Sequence, residues 1–146
     1  MLFLREEDIK DFDKTIGEWY DKNPIVALFL AVASFEWAAR RVLLSVVSKS
    51  TLEVRKEFGL ALDIDKYSEL WSNAVDLYSI DDIFDEDGYN WEDIASAYKF
   101  AQVLKVEVSN TDHNTRRIVD VLFHAVRKFF EFSETHNIDL NKEIIH

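Results

Sequence analysis

The sequence contains no cysteine, which excludes disulfide bonds and thiolate metal sites. It also contains only one proline and three glycines among 146 residues. Because these two residue types interrupt helices, their scarcity favours long helices over a sheet with many turns. A chain of this length can bury a real core without cross-links, so we predict a single domain over residues 1–146.

Export and membrane signals are missing as well. The first residues, MLFLREEDIKDF, form a short apolar patch followed by acids, whereas a signal peptide needs a basic start and a longer apolar segment. The longest apolar run, Ile25 to Ala33, is about half of the roughly 20 residues that a membrane-spanning helix needs. We therefore expect a cytoplasmic protein without membrane contact.

Positive charge is scarce, with 17 basic residues against 28 acidic ones and a net charge of −11. An acidic surface repels phosphate backbones at long range, which argues against nonspecific binding to nucleic acid. Two interpretations of the acids stay open. They keep an apolar-rich protein in solution, or they make the protein an acidic inhibitor or nucleic-acid mimic.

The segment NPIVALFLAVASFEWAARRVLLSVVSK is the most apolar part of the chain. A helix that is apolar nearly all round is buried nearly all round, so we predict a central helix over residues 24–48, capped by Asn23. Its polar residues Glu36, Arg40 and Arg41 are predicted to brace neighbouring helices or a partner.

Helical spacing of apolar residues marks further helices on both sides of this segment. We predict them over residues 6–20, 51–59, 64–79 and 91–104, with an acidic loop over 81–90, an uncertain stretch over 105–111 and a last helix to about 133. In the last helix, every residue from Arg116 to Phe132 falls on a broad apolar arc or a narrow polar arc. The predicted fold class is therefore all-α, an up-and-down bundle of five to six helices around the central helix.

Metal and cofactor sites are not predicted. If the acidic loop were an EF-hand with its glycine at Gly88, Ile83 and Ile94 would stand where oxygen ligands are required. The four histidines lack the spacing of a zinc pair, and no glycine-rich phosphate loop is present.

One cluster on the polar arc of the last helix has catalytic chemistry. Arg117, Asp120 and His124 stand at i, i+3 and i+7 and therefore share one face. A histidine serves as an acid or base near neutral pH, and an arginine holds a phosphate. Together they suit metal-free cleavage of RNA through its own 2′-hydroxyl. The alternative is a solvated face with ion pairs four residues apart, such as Asp120 with His124, or Arg127 with Glu131.

Three segments taken together resemble the HEPN superfamily. They are FEWAARRVLL in the central helix, the Trp-led WEDIASAYKFAQVL, and the last helix TDHNTRRIVDVLFHAVRKFFEF. The resemblance covers residues 23–132 and is one of helix order and texture. It implies a small helical bundle, often dimeric, in a prokaryotic toxin–antitoxin or other defence system.

The resemblance also implies a catalytic arginine followed, after four to six residues, by a histidine. At the expected place the chain reads AQVLKV over residues 101–106, so both are absent, and Gln102 has no acid–base chemistry to replace them. Arg117 and His124 enclose six residues, which fits the family's spacing, but they lie one helix later. They would have to converge with the same pair of a second protomer.

We therefore predict a non-catalytic interaction module that forms a homodimer or binds a protein partner. The predicted interaction residues are Glu36, Arg40, Arg41, Arg116 and Arg127. The alternative is a metal-independent endoribonuclease, in which Arg117 and His124 act at a dimer interface and Asp120 orients the histidine. Only that alternative makes RNA a partner.

Overall fold

The computed structural model describes residues 22–47, 62–104 and 113–140, together with Glu18, Glu53 and Lys56. Within these residues the chain is all-helical and has no strand, which confirms the predicted class. The helices with both ends among the described residues are α1 (Pro24–Val46), α2 (Ile64–Ala74), α3 (Ile80–Ile83), α4 (Trp91–Leu104) and α5 (His113–Thr135). The helices predicted over 6–20 and 51–59, the stretch 105–111 and the cap of the last helix lie largely outside the described residues.

Helix α1 begins where the sequence predicts it. The Asn23 side chain accepts a hydrogen bond from the backbone N–H of Val26 at 3.4 Å, and proline occupies the first helical position. Burial is less complete than predicted, because Phe29 is 45% exposed and Ala33 is also exposed. A stripe of this helix therefore reaches the surface, although its apolar composition alone suggests burial all round.

Helix α1 packs most extensively against α5. Its alanines at 27, 31, 38 and 39 are fully buried, and such small side chains allow neighbouring helices to approach closely. Phe35 lies among aromatic rings from α4 and α5, with centroid distances of 5.4 Å to Tyr98 and 6.2 Å to Phe129. These contacts place the centre of the core between α1, α4 and α5.

Two boundaries in the middle of the chain differ from the prediction. Helix α2 ends at Ala74 rather than at residue 79, because Val75 turns extended and buries its side chain. The predicted acidic loop then starts with helix α3, whose Ser79 cap accepts from the N–H of Asp81 at 3.3 Å. Trp71 Nε1 donates to the Tyr78 carbonyl at 2.8 Å, a hydrogen bond that fixes the corner between the two helices.

Helices α4 and α5 confirm the prediction closely. Helix α4 has the predicted bounds, and α5 ends two residues beyond the predicted end. Residues of the broad arc of α5 are buried or half-buried, and those of the narrow arc are exposed or half-buried. No helix among the described residues is long and apolar enough to cross a membrane.

Candidate functional site

The polar arc of α5 holds the three residues predicted as a catalytic cluster, in two different environments. Arg117 and Asp120 are exposed, whereas His124 is mostly covered by the segment that precedes α4. The three share one helix face, as their spacing requires. The tertiary structure nevertheless separates them, because Arg117 lines a groove and His124 lies beneath an aromatic ring.

Two residues of the acidic loop enclose His124. The Tyr89 ring stacks on the imidazole with centroids 4.2 Å apart and planes inclined by 29°. Glu86 Oε2 lies 3.4 Å from His124 Nε2, at an angle outside hydrogen-bonding geometry, and this nitrogen is buried. A substrate would therefore have to displace the Tyr89–Glu86 segment before Nε2 could exchange a proton with it.

The electrostatics of His124 favour the neutral imidazole. Burial is the main cause that lowers the pKa of His124 below its usual value, and Arg127 and Lys128 lower it further. Glu86 and Glu131 act in the opposite direction without reversing the shift in pKa. The histidine is therefore neutral at neutral pH, and its ring packs between α5 and the loop.

One ion pair suggested by the spacing, Asp120 with His124, is replaced by a contact with the loop. His124 lies against Glu86 of the loop, and not against Asp120 of its own helix. Glu131 lies 3.5 Å from Lys128, three residues away on the same helix. Distances along a helix select possible pairs, but a neighbouring segment decides which acid approaches the histidine.

A groove of about 270 Å³ lies between α4 and α5. Its lining residues are Asp93, Ser96, Ala97, Phe100, Arg117, Ile118 and Val121. Most of these side chains are small or apolar, and among the described residues the ionic groups of the lining are Asp93 and Arg117. Phe100 is 43% exposed, and Val103 on the next turn of α4 is 55% exposed. The groove is therefore a concave, largely apolar surface with one charge of each sign.

Asp93 is held in place by the start of α4. Its carboxylate accepts from the N–H of Asn90 at 3.3 Å, and the Asn90 side chain accepts from the N–H of Asp93 at 2.9 Å. This reciprocal cap fixes the Asp93 side chain, and Asp93 also lines the groove. The acid at this end of the groove is thus pre-positioned by local backbone geometry.

The predicted interaction residues on α1 lie partly inside the bundle. The Tyr98 hydroxyl donates to a carboxylate oxygen of Glu36, which ties α1 to α4. Burial raises the pKa of Tyr98 most, and the hydrogen bond to Glu36 raises it further, so the phenol stays protonated as the donor. Arg41 lies 5.6 Å from the centre of the Trp37 ring of its own helix, a cation–π contact, and Arg40 is half-buried.

The remaining two predicted interaction residues lie on the exposed side of α5. Arg116 and Arg127 are exposed, and neither lines the groove. Sequence reasoning did not single out Phe100 or Asp93, which do line it. One signal was present, because Phe100 and Val103 fall outside the stripe that Ile94, Ala97 and Ala101 form along the buried side of α4.

Among the described residues, no group of three or more histidine, aspartate or glutamate side chains is arranged to hold a metal ion. Comparison with family models gives no match, and neither a curated protein nor a solved structure matches the chain.

Proposed function

We propose that the chain is a non-catalytic helical interaction module that binds a protein in the α4–α5 groove. The observation that carries this proposal is the exposed Phe100 at the edge of an apolar concavity that has one acid and one base in its lining. An exposed aromatic beside a concave apolar surface is typical of protein-binding sites, and flanking charges select the partner and its orientation.

The surroundings of His124 support a binding role over a catalytic one. Its buried Nε2 lies beside Glu86 and under Tyr89, and this arrangement stabilises the loop against α5. The resemblance to HEPN proteins supports a cytoplasmic setting in a defence, toxin–antitoxin or regulatory system. In that setting the module would act by forming a homodimer or by joining a hetero-complex.

A photo-crosslinking amino acid at Phe100 tests the binding role. Introduced in the native cell, it should give a discrete adduct with one protein, either a second copy or another chain. The matched control places the same amino acid at Leu77, an exposed apolar residue that lies outside the groove lining. Equal adducts from both positions, or no adduct from position 100, would contradict the proposal.

A metal-independent endoribonuclease is the second candidate, because Arg117 is exposed at the groove and His124 is neutral near pH 7. The purified protein is incubated with RNA beside His124→Ala, Arg117→Ala and Asp120→Asn, with Lys66→Ala on α2 as a control. Cleavage by the parent and by the control, abolished in the first two variants, would replace the binding proposal by this one.

A further inference from the structure

We infer that the partner in the α4–α5 groove is a basic amphipathic helix of another protein. Its apolar stripe contacts Phe100, and its lysines or arginines face the acids that precede and begin α4. The helix occupies the surface to which the proposed function assigns protein binding, and the inference therefore rests on that function. Charge complementarity and the shape of an interhelical groove support this class of partner.

The acidic loop and the first turn of α4, residues 81–93, carry charge of one sign. We call these residues the acidic border. They include seven acidic side chains and no basic one. Asp93 is half-buried and lines the groove, and the other six acids are exposed: Asp81, Asp82, Asp85, Glu86, Asp87 and Glu92. Such a run of exposed acids attracts cationic groups from solution and repels phosphate backbones.

The acidic border adjoins the groove on both of its helices. On α4 it includes Asp93, which belongs to the groove lining. On α5 its Glu86 lies 3.4 Å from His124, which stands three residues beyond the groove-lining Val121. Three residues are about one helical turn, so a ligand in the groove lies beside these acids.

Bases close to the groove are offset by acids. Lys99, the base within α4, pairs with Asp65 of α2 at 2.5 Å. Arg117 is the cation among the described lining residues, and the exposed Asp120 stands three residues further along the same helix face, where opposite charges attract each other. The charge that a ligand meets beside the groove is therefore mainly negative.

The groove itself favours a helical ligand. It lies between two packed helices, and the ridge of side chains on a third helix fits a groove of this kind. Phe100 is 43% exposed and Val103, three residues later, is 55% exposed, so they form an apolar edge along α4. An extended peptide would instead need a sheet edge, and the described ranges contain no strand. An amphipathic helix with apolar anchors matches this surface.

The experiment measures binding of designed peptides to the full chain by fluorescence anisotropy in 150 mM NaCl. The labelled peptides have about 18 residues, enough to form a helix, and carry leucines along one face with either lysines or glutamates elsewhere. The lysine peptide should bind at least about tenfold more tightly than the glutamate peptide. A lysine peptide of the same composition, with its leucines spread around the helix, should lose about tenfold or more in affinity.

Apolar variants test whether the peptide binds in the groove. Phe100→Ser should weaken binding of the lysine peptide by about tenfold or more, because it removes the exposed aromatic anchor. Val103→Ser, at a more exposed position, supplies a second test, and circular dichroism checks the helix content of both variants. Leu77→Ser is the matched control, since Leu77 is 83% exposed and lies outside the groove lining. It should leave binding unchanged.

Charge variants test the role of the acidic border. Asp85→Asn combined with Glu92→Gln removes two of its exposed acids and should weaken binding of the lysine peptide by about threefold or more. Glu69→Gln combined with Asp76→Asn changes the net charge equally at exposed positions outside the border and should leave binding unchanged. Arg117→Gln should strengthen binding by about twofold, because it removes a like charge from the lining.

Three results with the peptides would overturn the inference. They are equal affinity for the lysine and glutamate peptides, unchanged binding in Phe100→Ser and Val103→Ser, and equal weakening by the two pairs of charge variants. Loss of binding in Arg117→Gln would have the same meaning, because it would indicate that the ligand is recognised through an acid.

The adduct formed by a crosslinking amino acid at position 100 separates this inference from the proposed function. Mass spectrometry should place the adduct within a basic amphipathic segment of another protein. An adduct within an acidic or uncharged segment, or within a second copy of this chain, would overturn the basic partner and leave the binding role of the groove intact. Absence of any adduct would contradict both.

Discussion

His124 is a residue whose pKa is lowered by the fold. Burial lowers the pKa of His124 in the folded protein below its pKa in the unfolded chain. At pH values near and below the unfolded pKa, the unfolded state therefore binds more protons than the folded state. The stabilisation contributed by neutral His124 is therefore fully present above its pKa in the unfolded chain. It is lost as the pH falls from that value through the lower pKa of the folded protein. We expect the free energy of unfolding of the parent to decrease from pH 7.5 to pH 5.5.

The control for this prediction is a second histidine. His124→Gln should flatten the pH dependence of the free energy of unfolding, whereas His136→Gln, on an exposed residue just beyond the end of α5, should leave it as in the parent. Urea titrations at several pH values measure both slopes. If His124→Gln keeps the parental slope, other groups govern the acid sensitivity.

Tyr98 and Glu36 form the other polar contact that a single substitution can test. Tyr98→Phe removes the donor and leaves a half-buried carboxylate without it, so we expect a loss of about 1–2 kcal/mol in the free energy of unfolding. Glu36→Gln keeps an oxygen acceptor and should cost less. Tyr89→Phe, which keeps the ring stacked on His124, should stay within about 0.5 kcal/mol of the parent. Equal losses in Tyr98→Phe and Tyr89→Phe would contradict this account.

Helix α1 is the element on which the bundle's close packing depends. Ala38 is fully buried, whereas Ala33 on the same helix is exposed, so the pair offers a matched comparison. Ala38→Leu should destabilise the protein by about 1–3 kcal/mol, because the added carbons must displace packed neighbours. Ala33→Leu should change stability by less than about 0.5 kcal/mol. Urea unfolding measures both, and similar values would show that α1 does not pack closely at Ala38.

Helices were predicted best where periodicity and end signals agree. Asn23 and Pro24 define the start of α1, and the two arcs of α5 describe its burial correctly. The end of α2 was harder to predict, because Tyr78 stands at helical spacing from the apolar residues of α2. Its carbonyl instead accepts the Trp71 side chain after the helix has ended. The spacing of apolar residues does not predict a side-chain hydrogen bond of this kind.

At the scale of the whole molecule, a net charge of −11 is the dominant electrostatic property. Repulsion among like charges destabilises the compact state, and salt screens it. We expect the free energy of unfolding at pH 7 to rise between 10 and 300 mM NaCl. KCl should give the same curve, since screening depends on ionic strength. A fall in both salts would mean that local pairs such as Lys99 with Asp65, at 2.5 Å, outweigh the overall repulsion.

The candidate site was predictable only in part, for a physical reason. The spacing of Arg117, Asp120 and His124 correctly gave a shared helix face, but spacing along one helix does not state what covers that face. The loop before α4 supplies Glu86 and Tyr89 to His124, and α4 itself supplies the other wall of the groove at Arg117. The loop and α4 precede α5 in the chain, so the spacing of residues along α5 does not reveal their contacts with it.

The sequence by itself determined the all-helical class, the central helix with its cap, and the amphipathic division of α5. These properties follow from composition, capping chemistry and periodicity, which act over a few neighbouring residues. Only the tertiary structure decided that His124 is enclosed, that Glu36 joins α1 to α4, and that Asp93 and Arg117 line one groove. Each of these depends on side chains brought together from different helices or loops, and local sequence rules contain no distance between such side chains.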